Sequence, residues 1–173
     1  MVRFKNRYIC FEVLQHNQCN ALGGVGKPSS DQRQNAFILS TRNINSLVRE
    51  QVKLNFGDLG AGHIASGFQV KYFSSQTRMG IIKVPRDHCQ MVTTALTLAT
   101  HINRYPCVVR VWHVSGTIKK CQKAAIRTDR ELIIAWYRNQ QVIAKAGAGP
   151  VAGDSSLAAM LKESQSQISA LEL

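Results

Sequence analysis

The chain has 173 residues, of which 45% are apolar, so it is long enough and apolar enough to bury a core as one globular domain with additions. It carries 22 Lys and Arg against 10 Asp and Glu, giving a formal net charge of +12. This excess argues against cationic partners and favours polyanions. Nucleic acid is the most frequent polyanion, with an anionic membrane surface as the lesser alternative.

The positive charge lies in the first 146 residues, because the residues from 147 onward carry −2 and leave +14 to the rest. The five cysteines are widely spaced and form no Cys-x-x-Cys pair, so we expect no zinc site. We expect the cysteines to be reduced thiols in an intracellular protein. No apolar run approaches the length of a membrane-spanning helix, so we expect no membrane partner.

The first elements in chain order are a strand, a polar insertion and a helix. Residues 8–14 alternate in a way that predicts a strand buried on one face. Residues 15–40 are polar and rich in Gly, which predicts a flexible loop insertion. A helix is expected to begin at Ser40 or Thr41, with apolar residues at helical spacing. Three glycines are expected to end it in a loop: Gly57, Gly60 and Gly62.

The following segments predict a hairpin, a helix, a strand and a further helix. Residues 68–73 and 79–84 form the arms of the hairpin, and a helix follows Pro85. Residues 107–114 are β-branched and aromatic, as in a strand, and a helix runs from Thr117 to about residue 138. The order β-α-β-β-α-β predicts an α+β, ferredoxin-like or RRM-like fold with an additional C-terminal helix.

The chain is therefore divided into one domain and a tail. Residues 1–145 are predicted to form one RRM-like domain. The run Gly147-Ala148-Gly149-Pro150 breaks the helical pattern, so residues 146–173 are predicted to be a disordered tail or a frayed helix.

The additional helix predicts a phosphate-binding face. At about 100° per residue, five cations fall within an arc of about 100°: Lys119, Lys120, Lys123, Arg127 and Arg130. We call these five residues the cationic face. Its cations repel one another unless an anion lies against them, because Asp129 and Glu131 lie outside the arc. The alternative is a solvated polar face.

The tripeptide before this helix adds donors for an anion. Ser115 and Thr117 supply hydroxyls, Gly116 allows backbone N–H groups to approach closely, and the helix N-terminus adds its positive dipole end. Ordinary N-capping by Ser115 or Thr117 is the alternative.

A second basic cluster lies at the N-terminus. Arg3, Lys5 and Arg7 alternate, so an extended chain points all three in one direction, while Phe4 and Tyr8 point in the other and root the arm on the core. A mobile basic tail is the alternative.

Several features are absent from the sequence. Residues 78–84 lack the aromatic side chains that stack bases in an RRM, so we expect protein to cover the sheet face and RNA to be bound by backbone and shape. The histidines are scattered, and only Asp58 and His63 share a Gly-rich segment. No nucleophile set or carboxylate pair for Mg²⁺ is recognisable, so catalysis by the chain alone is not expected.

In combination, four segments resemble the eukaryotic Pop-five family of ribonuclease P and ribonuclease MRP subunits. They are residues 1–8, residues 68–73, Gly80-Ile81-Ile82 with Arg86, and residues 114–120. The resemblance covers residues 1–14 and about 41–138. It implies a non-catalytic, RRM-like subunit of a ribonucleoprotein whose RNA removes the 5′ leader of precursor tRNA, or processes ribosomal RNA precursors in the MRP particle.

The resemblance also implies the partners and the contact residues. The partners are the particle RNA, precursor tRNA nearby, a second small RRM-like subunit and a TIM-barrel-like subunit, in the nucleus and nucleolus. The protein itself is expected to bind no cofactor, with Mg²⁺ held on the RNA. The RNA contacts are expected at Arg3, Lys5, Asn6, Arg7, Ser115, Gly116, Thr117, Lys119, Lys120, Lys123 and Arg127. The alternatives are another RNA-scaffold protein, such as a ribosomal protein, and a small ferredoxin-like enzyme acting on phosphate esters.

Overall fold

The computed structural model describes residues 5–15, 39–75, 77–103, 105–145 and 154–171. Its strands are β1 (Asn6–Gln15), β2 (Gln69–Phe73), β3 (Met79–Pro85), β4 (His101–Ile102) and β5 (Tyr105–Ser115). Its helices are α1 (Thr41–Ala65), α2 (Cys89–Thr97, after a 3₁₀ turn at Arg86–His88), α3 (Ile118–Lys145) and α4 (Asp154–Ser169). The predicted loop insertion at 15–40 lies outside these ranges except for its ends.

The strands form one antiparallel sheet in the order β2-β3-β1-β5-β4. β1 lies in the middle, and its first residues pair with the last residues of both neighbours: Asn6 with Pro85, and Tyr8 with Ser115. The predicted ferredoxin-like order β-α-β-β-α-β is confirmed. The two-residue strand β4 is an addition that periodicity did not predict, because two residues carry no alternation.

One face of the sheet packs against α1 and α2 and forms the larger core. The alternating residues Ile9, Phe11 and Val13 are fully buried there, as the pattern of β1 predicted. From α1, the fully buried Ile44, Val48 and Val52 contribute to the same core. Ser40 caps the N-terminus of α1, because its side chain accepts a hydrogen bond from the Asn43 N–H at 3.4 Å.

The end of α1 was predicted wrongly. Gly57 adopts φ 68° and ψ −165°, a conformation that favours glycine and kinks the helix, but the helix resumes and continues to Ala65. It resumes because the second part packs: Ile64 is fully buried in the core, and Gly60 lies against α2 at Met91. Asp58 and His63 therefore lie on a helix and not in a loop.

The second face of the sheet is covered by α3 and α4. A smaller core joins Tyr8, Cys10, Met79 and Ile81 of the sheet to Ile118 and Cys121 of α3 and to Ile168 of α4. The expectation that protein covers this face holds over these central strands, and the covering helices belong to the chain itself. A hydrogen bond with the neighbouring Cys121 thiol and burial raise the pKa of Cys10, which keeps the Cys10 thiol neutral in this core.

Residues 146–173 were predicted to be a disordered tail or a frayed helix. In the structure, Asp154–Ser169 form a helix that packs against α3. Ile168 is fully buried, and the side-chain amide of Gln122 donates to the carbonyl oxygens of Ile168 and Leu171 at 3.0 and 2.8 Å. The Ile168 carbonyl also accepts from the Leu171 N–H at 3.4 Å, so Gln122 ties the end of α4 to α3 through two carbonyls of its last turn and the residues that follow. Helix α3 is also longer than expected, since it extends to Lys145.

Candidate nucleic-acid interface

The start of β1 is anchored at Tyr8 and carries polar side chains before it. Tyr8 is buried in the core under α3, as predicted for the residue that roots the arm, whereas Lys5 is exposed and Asn6 and Arg7 are half-buried. Arg3 and Phe4 lie outside the described residues. The part of the arm that the structure describes is thus a strand fixed in the sheet and not a mobile tail.

Antiparallel pairing brings the second predicted cluster to the same place. Because Tyr8 pairs with Ser115, the turn at 115–117 lies beside the start of β1 although more than 100 residues separate them in the chain. The Nη1 atom of Arg7 lies 3.0 Å from the position that a Cβ on Gly116 would occupy. The guanidinium of Arg7 therefore packs directly on the turn, and a side chain at position 116 would displace it.

The turn itself is ordered by hydrogen bonds. The Thr117 N–H donates to the Ser115 hydroxyl at 3.3 Å, and the Cys121 N–H donates to the Thr117 carbonyl at 3.3 Å as α3 begins. Ser115 is buried, so its hydroxyl shapes the turn, while Gly116 and Thr117 are exposed. This arrangement is compatible with both interpretations of the tripeptide, capping and anion binding. Ser115 organises the local backbone, and the exposed turn leads into a helix N-terminus.

Arg7 also lies close to the beginning of α2. Burial raises the pKa of the Cys89 thiol, a hydrogen bond with Thr93 lowers it, and the positive charge of Arg7 lowers it further. Burial outweighs both effects, so the pKa of Cys89 is raised overall. Through its packing on Gly116, Arg7 joins the two predicted clusters.

The cationic face is exposed along its whole length, as predicted, and the opposite side of α3 is buried through Ile118, Cys121 and Ala125. Among the described residues, the one acidic partner on the face is that of Arg127, whose Nε lies 3.4 Å from a Glu131 carboxylate oxygen, and both side chains are largely exposed. At 1.5 Å per residue, Arg127 lies about 12 Å along the helix from Lys119. The five cations therefore form a stripe and not a single pocket.

Asp129 neutralises the cationic face even less than its position in the sequence suggested. It is only 1% exposed and accepts a hydrogen bond from the Ser164 hydroxyl of α4, and its Oδ1 has no hydrogen-bond donor among the described residues. Burial and the nearby charge of Asp129 raise the pKa of Tyr72 on β2. This carboxylate contributes to the packing of α3 on α4 and the hairpin, away from the exposed lysines.

Two cations that were not predicted to belong to the site lie at the same end of the sheet. Lys83 pairs with Tyr8, and the Arg86 N–H donates to the Lys5 carbonyl at 2.9 Å just after β3 ends. The register of β1 against β3 places them there, and no local pattern in the sequence reveals that register. We call Lys5, Asn6, Arg7, Lys83, Arg86 and the turn 115–117 the basic sheet end.

The sheet face that α3 and α4 leave open carries an aromatic residue that the sequence analysis missed. Trp112 is 40% exposed on β5, its indole N–H donates to the Glu12 carboxylate at 3.0 Å, and the guanidinium of Arg110 lies 5.2 Å from its ring centroid. Burial lowers the pKa of the neighbouring Arg78, and the charge of Glu12 opposes this shift. Cross-strand pairing of Glu12 with Arg110 brings these groups together.

In the part of the chain that the structure describes, no group of three His, Cys, Asp or Glu side chains is placed to hold a metal ion. No described helix combines the length and apolar character needed to span a membrane.

The sequence between Arg7 and the middle of α3 matches a known family. The model of the Rpp14/Pop5 family matches residues 7–126, which include β1, the turn 115–117 and the first part of the cationic face. The chain belongs to the Rpp14/Pop5 family. The resemblance found in the sequence is thereby confirmed.

Curated members of the Rpp14/Pop5 family are similar over most of their length. The ribonuclease P/MRP protein subunit POP5 of Schizosaccharomyces pombe is 39% identical over 133 residues, which cover 77% of this chain and 91% of the relative. Those of Saccharomyces cerevisiae and Homo sapiens are 36% and 31% identical, cover 77% and 80% of this chain, and are matched over 80% and 78% of their own length.

A solved structure was also found. A chain of the cryo-EM structure of yeast ribonuclease MRP superposes with a TM-score of 0.46 at 10% identity, over 68% of this chain and 79% of that chain. This likeness is too weak to add to the assignment to the Rpp14/Pop5 family, which rests on the sequence matches.

Proposed function

We propose that this chain is a protein subunit of ribonuclease P and ribonuclease MRP that binds the particle RNA and carries no catalytic group of its own. The family assignment and the names of its relatives support membership of such a particle. The basic sheet end and the cationic face supply the RNA contact. Catalysis resides in the RNA, and Mg²⁺ is held there and not by this protein.

One observation carries the RNA-binding proposal: the packing of Arg7 on Gly116 joins two basic clusters that lie far apart in the sequence. Lys5, Lys119 and Lys120 are exposed around that junction, and none of them has an ion-pair partner in the described ranges. Like charges held close together on a rigid surface repel one another, and phosphates relieve that repulsion while releasing their counterions.

The surface acts by neutralising phosphates where RNA strands converge. Fixed cations lower the repulsion between crowded strands and thereby stabilise the folded RNA that holds Mg²⁺ and substrate. Contacts from backbone N–H groups at the turn, from lysine and from arginine read phosphate and shape, with little sequence readout. The outcome is removal of the 5′ leader of precursor tRNA, and processing of ribosomal RNA precursors in the MRP particle.

The partners and location follow from the resemblance. A second small RRM-like subunit and a TIM-barrel-like subunit are the protein partners, and precursor tRNA lies nearby. The protein acts in the nucleus and nucleolus. The open sheet face around Trp112 is available for protein contact, since aromatic residues and arginine are enriched at interfaces.

The proposal is tested by identifying the RNA that copurifies with the tagged full-length chain. We expect ribonuclease P or MRP RNA, and much less of it with the triple variant Lys119→Ala, Lys120→Ala, Lys123→Ala. In binding to that RNA in vitro, the triple variant should lower the slope of log affinity against log salt by about two to three, because three phosphate contacts are lost.

A matched control removes three exposed cations that lie away from the interface: Arg42, Lys53 and Lys162. It has the same net charge as the triple variant and should retain the RNA and the slope. Equal losses in both variants would reject a specific surface. Copurification of ribosomal RNA in place of ribonuclease P or MRP RNA would favour the ribosomal alternative.

A further inference from the structure

A groove of about 1020 Å³ opens at the end of the sheet where β1 begins and β3 ends. Its walls combine cationic and aromatic side chains from four separate segments. We call it the imidazole groove, and the residues that matter for its chemistry are Lys5, His63, Phe68, Lys83, Arg86 and His88. His63, Phe68 and His88 belong neither to the basic sheet end nor to the cationic face.

The groove is held in shape by close backbone packing. Asn6 pairs with Pro85, and the loop after α1 crosses Pro85 at Gly67. A Cβ on Gly67 would overlap the ring Cγ of Pro85 and lie 2.9 Å from its Cδ, so only glycine fits there without a shift. Phe68, which follows immediately, is 8% exposed and belongs to the main core. The groove is therefore preformed on rigid elements.

Two histidines from different elements stack at the wall of this groove. The ring of His63, from the last turns of α1, lies 4.5 Å from the ring of His88, with an angle of 11° between the ring planes. His63 is exposed and His88 is half-buried. Flat rings accessible to solvent are platforms on which unpaired bases stack, and histidine is among the residues that serve in this way.

Three cations lie around the ring pair. Lys5, Lys83 and Arg86 line the groove together with one carboxylate, Asp87. In the described ranges the ion pairs lie elsewhere, between Lys53 and Asp58 and between Arg127 and Glu131. The three groove cations are thus available to an external anion.

We propose that the imidazole groove binds a short single-stranded segment of RNA, with an unpaired base stacked on the His63–His88 pair and flanking phosphates at Lys83 and Arg86. The proposal rests on the RNA-binding function above and adds a second, chemically distinct contact to it. The bases of a duplex remain stacked on one another, so a duplex would not stack on the rings of His63 and His88. An acidic peptide would engage the cations and leave the rings unused.

The test compares two probes on the full-length chain by fluorescence anisotropy: octaadenylate and an abasic ribose-phosphate strand of the same length. His63→Ala with His88→Ala should weaken octaadenylate about tenfold, because a stacked base contributes roughly 1–3 kcal/mol, and should leave the abasic strand unchanged. Lys83→Gln with Arg86→Gln should weaken both probes and lower the salt slope by about 1.4, because two contacts to a single strand are lost.

Two further variants make the test decisive. His63→Phe with His88→Phe retains aromatic rings and should restore octaadenylate affinity, which separates stacking from any general effect of changing these residues. His101→Ala with His113→Ala removes two exposed histidines outside the groove and should change nothing.

Unchanged octaadenylate affinity after His63→Ala with His88→Ala would overturn the groove proposal. So would an equal loss for the abasic strand, or an acidic octapeptide that competes as well as octaadenylate. If the Lys119, Lys120, Lys123 variant still weakens binding to the particle RNA, the proposed function stands without the groove. If that variant also has no effect, the RNA-binding function itself fails.

Discussion

The cationic face and the imidazole groove differ in how they present positive charge. The face is a stripe on one exposed helix, and its residues are neighbours in sequence at helical spacing. The groove is concave and takes its residues from the start of β1, the end of α1, the end of β3 and the turn before α2. Charge is common to both, whereas flat rings occur only in the groove.

This difference indicates a division of labour. A convex stripe of lysines contacts phosphates of a folded RNA and is insensitive to base identity. A groove with stacked rings selects unpaired nucleotides, because a base must leave its own stack to reach them. Arg7 lies between the two surfaces, against Gly116 and near the start of α2.

The largest effect is expected from Ile168→Ala, which opens a cavity in the core beneath α3. Ile168 is fully buried, so the variant should lower the free energy of unfolding by about 2–5 kcal/mol in urea titrations. Hydrogen exchange should accelerate most in α3 and α4. The matched variant Ile64→Ala, fully buried in the other core beneath the groove, should accelerate exchange in α1 instead. Identical exchange patterns would mean that both surfaces unfold as one unit.

The next effect is expected from Gly67→Ala, which forces Pro85 to move. Overpacking of this kind costs about 1–3 kcal/mol of unfolding free energy, and octaadenylate affinity should fall while the affinity of the cationic face for folded RNA stays unchanged. The control Gly62→Ala meets no atom within 4 Å and lies within α1. It should stabilise the protein by about 0.5–1 kcal/mol. Destabilisation by both substitutions would remove the close packing at Pro85 as the cause.

A smaller effect is expected from Arg7→Lys, which keeps the charge and removes the planar fork of donors. We expect about 1 kcal/mol of lost affinity for the particle RNA, because arginine binds phosphate with two hydrogen bonds and lysine acts as a point charge. The salt slope should not change. Arg42→Lys, at an exposed arginine of α1 away from the interface, makes the same exchange and is the control, so it should leave affinity unchanged. A reduced salt slope for Arg7→Lys would indicate that the whole contact is lost.

The smallest effect is expected from Arg127→Gln. Glu131 already lies against Arg127, and an exposed pair of this type contributes about 0.3–0.5 kcal/mol, so the loss of RNA affinity should be smaller than for Lys123→Gln. Conversely, Glu131→Gln should raise affinity slightly by freeing Arg127. Filter binding at two salt concentrations measures both effects. An equal loss for Arg127→Gln and Lys123→Gln would show that RNA displaces Glu131 completely.

Much of the fold was predictable because its signals are local. Alternation identified β1 and the first arm of the hairpin, and β-branched and aromatic composition identified β5. Helical spacing identified α1 and α3 with the correct buried sides. The three glycines of α1 predicted too early an end to this helix, because glycine weakens a helix by its own propensity, whereas the burial of Ile64 stabilises it. The docking of α4 was missed for the same reason: its stability comes from the core under α3.

The candidate site was predictable only in part. The cationic face follows from the 3.6-residue period, and the alternation of Lys5 and Arg7 follows from the two-residue period of a strand. The assignment of Lys83 and Arg86 to the basic sheet end required the register of β1 against β3. The stacking of His63 on His88 required the end of α1 to lie beside the turn before α2, which no short pattern encodes.

By itself, the sequence determined the charge, the order of the elements, the family and the helix face that carries the lysines. Each of these is set by residues close in the chain or by whole-segment similarity, so no knowledge of long-range packing is needed. The tertiary structure decided which distant segments meet: Arg7 with Gly116, Lys5 with Arg86, and His63 with His88. Such meetings depend on strand register and helix docking, which result from the burial of the whole core and not from any one segment.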